Sequence, residues 1–353
     1  AGFKILKSEK GGFSMSFSFT NKITLMKKDD WKELLLKNAI LIVIFIIIIG
    51  IIIKEPAFLS ATVMRNILTQ SAVRLILAFG VGGIIIIQGT DLSLGRIVGF
   101  SAIISGSLLQ RLDYASRFYP DLQPLPLFVP LLISCAACAV VSGISGLVVA
   151  KFKIHPFLAT LGMMITLYGV MSIYFASGDP GPQPIGGFDN RYTNFVIGTT
   201  LGIPNLVIYA VIVSIVVWIL WNKTTFGKNL YAIGGNPEAA KVSGVNVFKT
   251  TIIVFVIAGV LYGIGGFLEA ARIGSANNGT GNGYELDAIA ACVVGGISFS
   301  GGVGKVSGAI VGVLLFTIIS YGMTFIGLDQ YYQYIIKGAI IVAAVALDAK
   351  RYI

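Results

Sequence analysis

The chain has 353 residues, 56% of them hydrophobic and only 12% charged, with a net charge of +10 and a mean hydropathy of +0.86. Soluble domains carry about 25% charged residues, so a string of soluble domains is excluded. The positive excess is gathered at one end, eight lysines from Lys4 to Lys37 against Glu9, Asp29, Asp30 and Glu33, which marks the cytoplasmic flank of a membrane span rather than a nucleic-acid surface.

Residues 1–33 read as a polar, basic cytoplasmic tail and residues 34–349 as an all-α polytopic membrane domain. The apolar run after the tail is too long for a signal-peptide core and has no small-residue cleavage signal behind it, so it is a retained first span, 34–53. Span two covers about 70–88. A tight polar turn follows, Gln88-Gly-Thr-Asp-Leu-Ser-Leu-Gly-Arg96. Asp91 and Ser93 stand where a side-chain oxygen caps the next helix; alternatively Gln88, Asp91, Ser93 and Gly95 shape the inner mouth of a path. Span three covers about 96–110, span four about 127–150, span five about 156–176 and span six about 204–221. Cys135, Cys138 and Cys292 all fall inside apolar runs and read as small core residues rather than disulfide partners. The one histidine, His155, lies in the connection before span five and is given no metal role. Loop 177–203, with Gly178-Asp-Pro-Gly-Pro-Gln-Pro, is a turn-rich outer connection that either meets an outer partner or covers the mouth.

The longest inner connection, 222–249, is patterned. Asn236 as cap, Pro237 at the first helical position and Glu238 after it start a short helix. Ala239, Ala240, Val242 and Ser243 continue it and Gly244 stops it. Small side chains on a short cytoplasmic helix make a docking shape. Span seven covers about 250–268, and Asn277-Asn-Gly-Thr-Gly-Asn-Gly-Tyr-Glu-Leu-Asp287 leads into span eight, about 285–298. Glu285 and Asp287 sit at a helix start, consistent with dipole capping, while the amides of Asn277 and Asn278 suit sugar hydroxyls because an amide both donates and accepts. Spans nine and ten lie near 304–323 and 330–347. Spans three and eight fall short of the about 20 residues a crossing needs, so they are tilted, extended by buried turns or broken at mid-membrane. Seven glycines between Gly295 and Gly312 serve close helix packing or unwound backbone around a path.

With ten spans and the first end inside, 18 lysines and arginines fall on inner segments and 6 on outer ones, with Arg74 and Lys337 inside spans. Both termini are therefore placed in the cytoplasm. No P-loop is present: Gly301-Gly-Val-Gly-Lys305 has the wrong spacing and continues with Val306, so this chain does not bind ATP through one. No Ser-His-Asp or Cys-His set and no metal-ligand cluster is visible, and intramembrane acids are sparse for a proton relay.

Three stretches, Gln88–Arg96, Asn222–Asn246 and Gly283–Gly296, resemble the ribose/galactose branch of ABC importer permeases, and the likeness runs from about residue 35 to 349. The resemblance implies a type II-like importer permease of ten helices, with spans two to five related by inversion to spans seven to ten. It implies movement of galactose or methyl galactoside from periplasm to cytoplasm across a bacterial inner membrane, with ribose, xylose or another sugar of the branch as the alternative. Two permease copies would enclose one path. A separate ABC ATPase chain would hold ATP and magnesium and dock on the cytoplasmic face, and a periplasmic sugar-binding protein would dock outside; the permease itself would be non-catalytic and hold no cofactor. On this sequence the family's ATPase-coupling segment falls on Gly234, Gly235, Asn236, Pro237, Glu238, Ala239, Ala240 and Gly244. Two competing readings are a self-contained secondary sugar carrier, which would place an ion site at mid-membrane, and a non-transporting scaffold, which has no use for glycine and polar breaks.

Overall fold

The computed structural model describes residues 39–179 and 181–350; the basic tail and the first residues of span one lie outside them. Among the described residues there are thirteen α-helices and one short strand pair. In chain order they are α1 Ala39–Lys54, α2 Ala61–Ile86, α3 Leu94–Leu108, α4 Phe128–Phe152, α5 Pro156–Ala176, α6 Asn190–Ile197, β1 Thr199–Thr200 and β2 Ile203–Pro204. There follow α7 Asn205–Lys223, α8 Thr225–Gly235, α9 Pro237–Val242, α10 Val247–Ile273, α11 Tyr284–Val294, α12 Val306–Phe325 and α13 Gln330–Lys350.

Each predicted apolar run coincides with one helix. Seven helices, α2, α4, α5, α7, α10, α12 and α13, are long and apolar enough to cross a membrane. The other three runs give shorter helices: α1, α3 and the 11-residue α11. The largest boundary difference is at α2, which begins at Ala61 rather than near residue 70. Ser60 caps it, its hydroxyl accepting from the Val63 N–H at 3.4 Å. The polar first turns with Thr62, Arg65 and Asn66 hide this start from a search for apolar residues.

Two helices form the centre. The apolar windows of α2 and α10 are 78% and 67% buried, whereas those of α5 and α13 are 17% and 11% buried. Lipid tails are as apolar as leucine, so close van der Waals packing and hydroxyl bonds, rather than the hydrophobic effect, hold such helices together. The α10–α4 crossing shows both. A Cβ at Gly259 would lie 2.8 Å from Ala139 Cα, and one at Gly263 2.7 Å from Cys135 Cα. Ser142 Oγ donates to the Phe255 carbonyl at 2.7 Å, and Ser101 Oγ on α3 donates to the Gly263 carbonyl at 2.6 Å. The cysteines fit this packing: Cys138 and Cys292 are buried, Cys135 is half-buried, and all three are free. Gly295, Gly308 and Gly312 meet backbone across α11 and α12, so this part of the glycine cluster is close packing.

Candidate functional site

The short helix expected after Asn236 is built as its local chemistry dictates. Asn236 Oδ1 accepts the Ala239 N–H at 2.9 Å, Pro237 occupies the first turn, and α9 ends before Gly244, whose φ of +86° closes the turn. Ala240 is buried while Val242 is 89% exposed, so one face anchors the helix and the other is open. Before α9 stands α8, a helix that the reading of a 28-residue polar loop missed. Its signal was Thr224, whose hydroxyl accepts the Gly227 N–H at 3.1 Å as an N-cap.

The C-terminal end of α8 is joined to the membrane helices. Gln88 Nε2 donates to the Gly234 carbonyl at 2.8 Å and to the Ser300 carbonyl at 3.1 Å. The Gly302 N–H donates to the Ile86 carbonyl at 2.9 Å, and Tyr231 Oη donates to the Gly304 carbonyl at 2.8 Å. Gln88 holds a left-handed backbone, φ +64°, which aims its side chain across the joint. Three segments distant in sequence thus meet: the end of α2, the end of α8 and the turn before α12.

Further along the α2–α3 turn, Asp91 and Ser93 are fully buried. Ser93 holds the N-cap position of α3 without bonding its N–H groups. Instead Asp91 Oδ1 accepts from Ser93 N at 2.9 Å and Ser93 Oγ at 2.5 Å. The pair therefore closes the turn on itself rather than capping the helix in the ordinary way. Thr160 of α5 pins the turn from the side, accepting the Leu92 N–H at 3.1 Å. Gly95 packs against the Gly281 carbonyl and Glu285, bringing the start of α3 against the loop that leads into α11.

That loop carries Asn277 and Asn278. Asn277 Oδ1 accepts the Gly279 N–H at 2.8 Å, folding the loop locally, and Asn278 Nδ2 reaches Ser172 Oγ on α5 at 3.4 Å. Gly283, at φ +82°, holds the N-cap position of α11 with no side-chain cap. Glu285 and Asp287 lie in the first turn, but Asp287 is committed elsewhere. Lys337 Nζ of α13 donates to both its oxygens at 3.0 Å, and Arg74 Nη2 of α2 stands 3.7 Å away. One turn from the end of α10, the buried Glu269 takes a two-bond fork from Arg272 at 2.7 Å and a further bond from the Tyr284 hydroxyl. A polar pocket of about 280 Å³ lies beside it, lined by Asn66, Thr69, Gln70, Ile197, Arg272 and Tyr321. The sequence shows Arg74 and Lys337 only as residues within spans, with no partner close in the chain. The available signal was the pairing rule: ionised groups inside apolar spans seek partners of opposite sign.

The connection between α5 and α7 is folded among its described residues. It contains α6 and the β1–β2 hairpin, and its backbone bridges Ile185 to Ala276 and Gln110 to Phe188. Asp189 caps α6, accepting the Arg191 N–H at 2.7 Å, and pairs with the Arg191 guanidinium at 2.6 Å. The hydrogen-bonded guanidinium holds the Asp189 carboxyl below the usual carboxylate range. His155 also has a structural role: its Nδ1 accepts the Phe157 N–H at 3.3 Å as the N-cap of α5. Among the described residues, no group of three or more His, Cys, Asp or Glu is placed to hold a metal ion.

The family described as "Branched-chain amino acid transport system / permease component" matches residues 63–345. The galactose/methyl galactoside import permease proteins of Haemophilus influenzae and Escherichia coli are each 50% identical to the chain over 334 residues, covering 94% of it and 99% of each relative. The ribose import permease protein of Escherichia coli is 34% identical over 320 residues, covering 91% of the chain and 96% of the relative. No solved structure matches.

Proposed function

The chain belongs to this permease-component family, alongside the galactose/methyl galactoside import permeases, and from that premise we propose that it is the membrane subunit of an ATP-driven importer of galactose or methyl galactoside. The subunit is non-catalytic. Two copies enclose one path through a bacterial inner membrane, a separate ABC ATPase holding ATP and magnesium docks on the cytoplasmic face, and a periplasmic sugar-binding protein delivers the sugar outside. The ribose reading is supported less, by 34% rather than 50% identity.

The observation that carries the mechanism is the capped, outward-facing α9, linked through the end of α8 and Gln88 to the ends of α2 and α12. ATPase closure would displace Gly234, Gly235, Asn236, Pro237, Glu238, Ala239, Ala240 and Gly244 as one piece. Gln88 and Gly302 would pass that displacement to helices that cross the membrane. Discrete rocking of packed helices about such joints is the ordinary form of alternating access. The transported sugar is uncharged, and the buried charges here are largely spent on one another, which leaves amides, hydroxyls and backbone to meet it.

Ten crossings with both termini inside are part of the same reading, with α1, α3 and α11 completing the seven long helices. Helix lengths support an inverted repeat. The series α2 to α5 runs 26, 15, 25 and 21 residues, and α10 to α13 runs 27, 11, 20 and 21. The inside assignment is supported by Lys223, Lys228, Lys241 and Lys249, which flank the docking segment. The test is reconstitution in proteoliposomes with the ATPase and the binding protein: galactose should accumulate only when ATP and both partners are present. Accumulation without the ATPase, driven by an ion gradient, would overturn the reading in favour of a self-contained carrier.

A further inference from the structure

The loop between α10 and α11 does not stay at the membrane rim. It meets Arg96 of α3, whose guanidinium donates from Nη1 to the Asn278 carbonyl at 3.1 Å and from Nη2 to Asn282 Oδ1 at 3.0 Å. The same guanidinium lies 4.5 Å from the centre of the Tyr168 ring. Tyr168 is the thirteenth of the 21 residues of α5, about 18 Å along that helix at 1.5 Å per residue. Irregular backbone therefore runs well inside the span of a crossing helix. Such backbone is tolerated only where it is buried in protein or lines a water-filled cavity.

This loop is not wholly buried in its own protomer. Asn282 is exposed, Tyr168 is 44% exposed and Leu286 is 50% exposed, and α5 beside them is the second least buried of the seven long helices. A guanidinium, an amide and a carboxylate at this depth cannot face hydrocarbon without a cost of several kcal/mol each. The neighbouring Arg74–Asp287–Lys337 group is closed on itself by its ion pairs, whereas the Arg96–Asn282 edge opens outward. The chemistry of that edge is specific. Arg96 and Glu285 carry opposite charges, so the surface has no net charge, and it offers donors, an acceptor and an aromatic ring together. This is the set that recognises a neutral polyhydroxylated ring: hydroxyls meet the amide and guanidinium, and the C–H face of the sugar meets the tyrosine.

We propose that Arg96, Tyr168, Asn282 and Glu285 form a hexose contact on the wall of the path between two copies of the chain. The assignment rests on the importer reading above and adds to it the place where the sugar is touched. Gly281 and Gly95 are part of its construction: a Cβ on Gly281 would strike the Gly95 carbonyl and lie 3.2 Å from the Gly99 nitrogen, so α3 and the loop approach through bare backbone.

The experiment uses the complex with its ATPase and binding protein in proteoliposomes. Asn282→Cys is made in a Cys135→Ala chain, because Cys138 and Cys292 are fully buried, and treated with a charged, membrane-impermeant methanethiosulfonate. The thiol is expected to react. Galactose uptake by Asn282→Ala and Tyr168→Ala is expected to fall about ten-fold, the scale set by removing one hydrogen bond or one ring face from the sugar, while Val170→Ala, exposed on the face of α5 turned away from Tyr168, keeps wild-type uptake. Reaction with a lipid-soluble maleimide but not with the charged reagent would place Asn282 against lipid and overturn the proposal. So would wild-type uptake by both alanine variants. If a variant does not co-purify with the ATPase, the labelling result alone decides. Absence of galactose uptake by the unmodified complex would instead overturn the importer reading itself, so the two failures are distinguishable.

Discussion

Replacing Gly234 by alanine tests whether the joint between the proposed docking segment and the membrane helices is rigid. A Cβ there would fall far inside contact distance of the Ile86 carbonyl oxygen and the Gly302 nitrogen, and 2.9 Å from Gly302 Cα. All three are backbone atoms, so no side chain can swing aside. Relief requires the end of α8 to move away, which stretches the 2.8 Å bond from Gln88 to the Gly234 carbonyl and wedges apart the 2.9 Å bond from Gly302 to Ile86. Two broken hydrogen bonds at about 1 kcal/mol each and about 1–3 kcal/mol of overpacking give a destabilisation of about 3–5 kcal/mol. The companion variant Gln88→Gly separates stability from transmission. It removes both bonds from Gln88 but relieves a left-handed backbone that costs a non-glycine residue about 1–2 kcal/mol, so the net stability change is small. The assay is paired: thermal unfolding of the purified complex, and galactose imported per ATP hydrolysed. Gly234→Ala should lower Tm by about 4–7 °C. Gln88→Gly should keep Tm near wild type and still lose import per ATP. A Gly234→Ala protein with wild-type Tm and coupling would refute the reasoning.

Other expectations follow from single interactions. Glu238→Lys with Ala239→Trp alters only the exposed face of α9, so the permease should remain folded while losing ATPase binding in pull-down; normal coupling at normal expression would sink the docking assignment. Lys337→Met strands Asp287 with only the more distant Arg74, and breaking a buried pair costs about 3–5 kcal/mol, to be read from Tm; the partial exposure of both groups, 18% and 13%, puts the expected destabilisation at the lower end. Asn236→Ala removes the cap of α9 and should cost about 1 kcal/mol, visible as faster hydrogen exchange at the amides of 238–242. The Asp189 carboxyl, held below its ordinary range in the folded chain, contributes stability above its unfolded pKa of about 3.9 and loses it as pH falls through the lower folded value. The Tm gap between wild type and Asp189→Asn should therefore stay constant at neutral pH and shrink below about pH 4.

What could be read from the chain alone follows the range of the forces concerned. The α9 helix was legible to within one residue, Ser243 being its C-cap rather than its last helical residue, because a cap, a proline and a terminating glycine act within a few positions of one another. Helices α4, α5 and α7 were legible because their apolar runs end sharply at polar or proline residues. The α2 start was not, since its first two turns are polar and only the Ser60 cap marks them. The ionic groups escaped because Asp287 finds Lys337 and Arg74 only when helices from opposite ends of the sequence are packed together. For the same reason Gln88 was placed in an inner turn but not at a joint: its partners, Gly234 and Ser300, lie 146 and 212 residues away. The fold of 177–203 likewise depends on a distant partner, Ala276.

The Arg74–Asp287 contact also sets an order on the birth of the molecule. Arg74 sits near the middle of α2, the most buried of the long helices, yet its carboxylate partner is 213 residues downstream. At about 5–20 residues per second, the ribosome needs about 10–40 s to supply it. An arginine at the centre of a lone helix raises the cost of insertion by about 2.5–3.5 kcal/mol on the translocon scale. Through that interval α2 gains by remaining beside the insertion machinery rather than dispersing into lipid. The helix at the centre of the finished protein is among the first to be made and among the last to be secured.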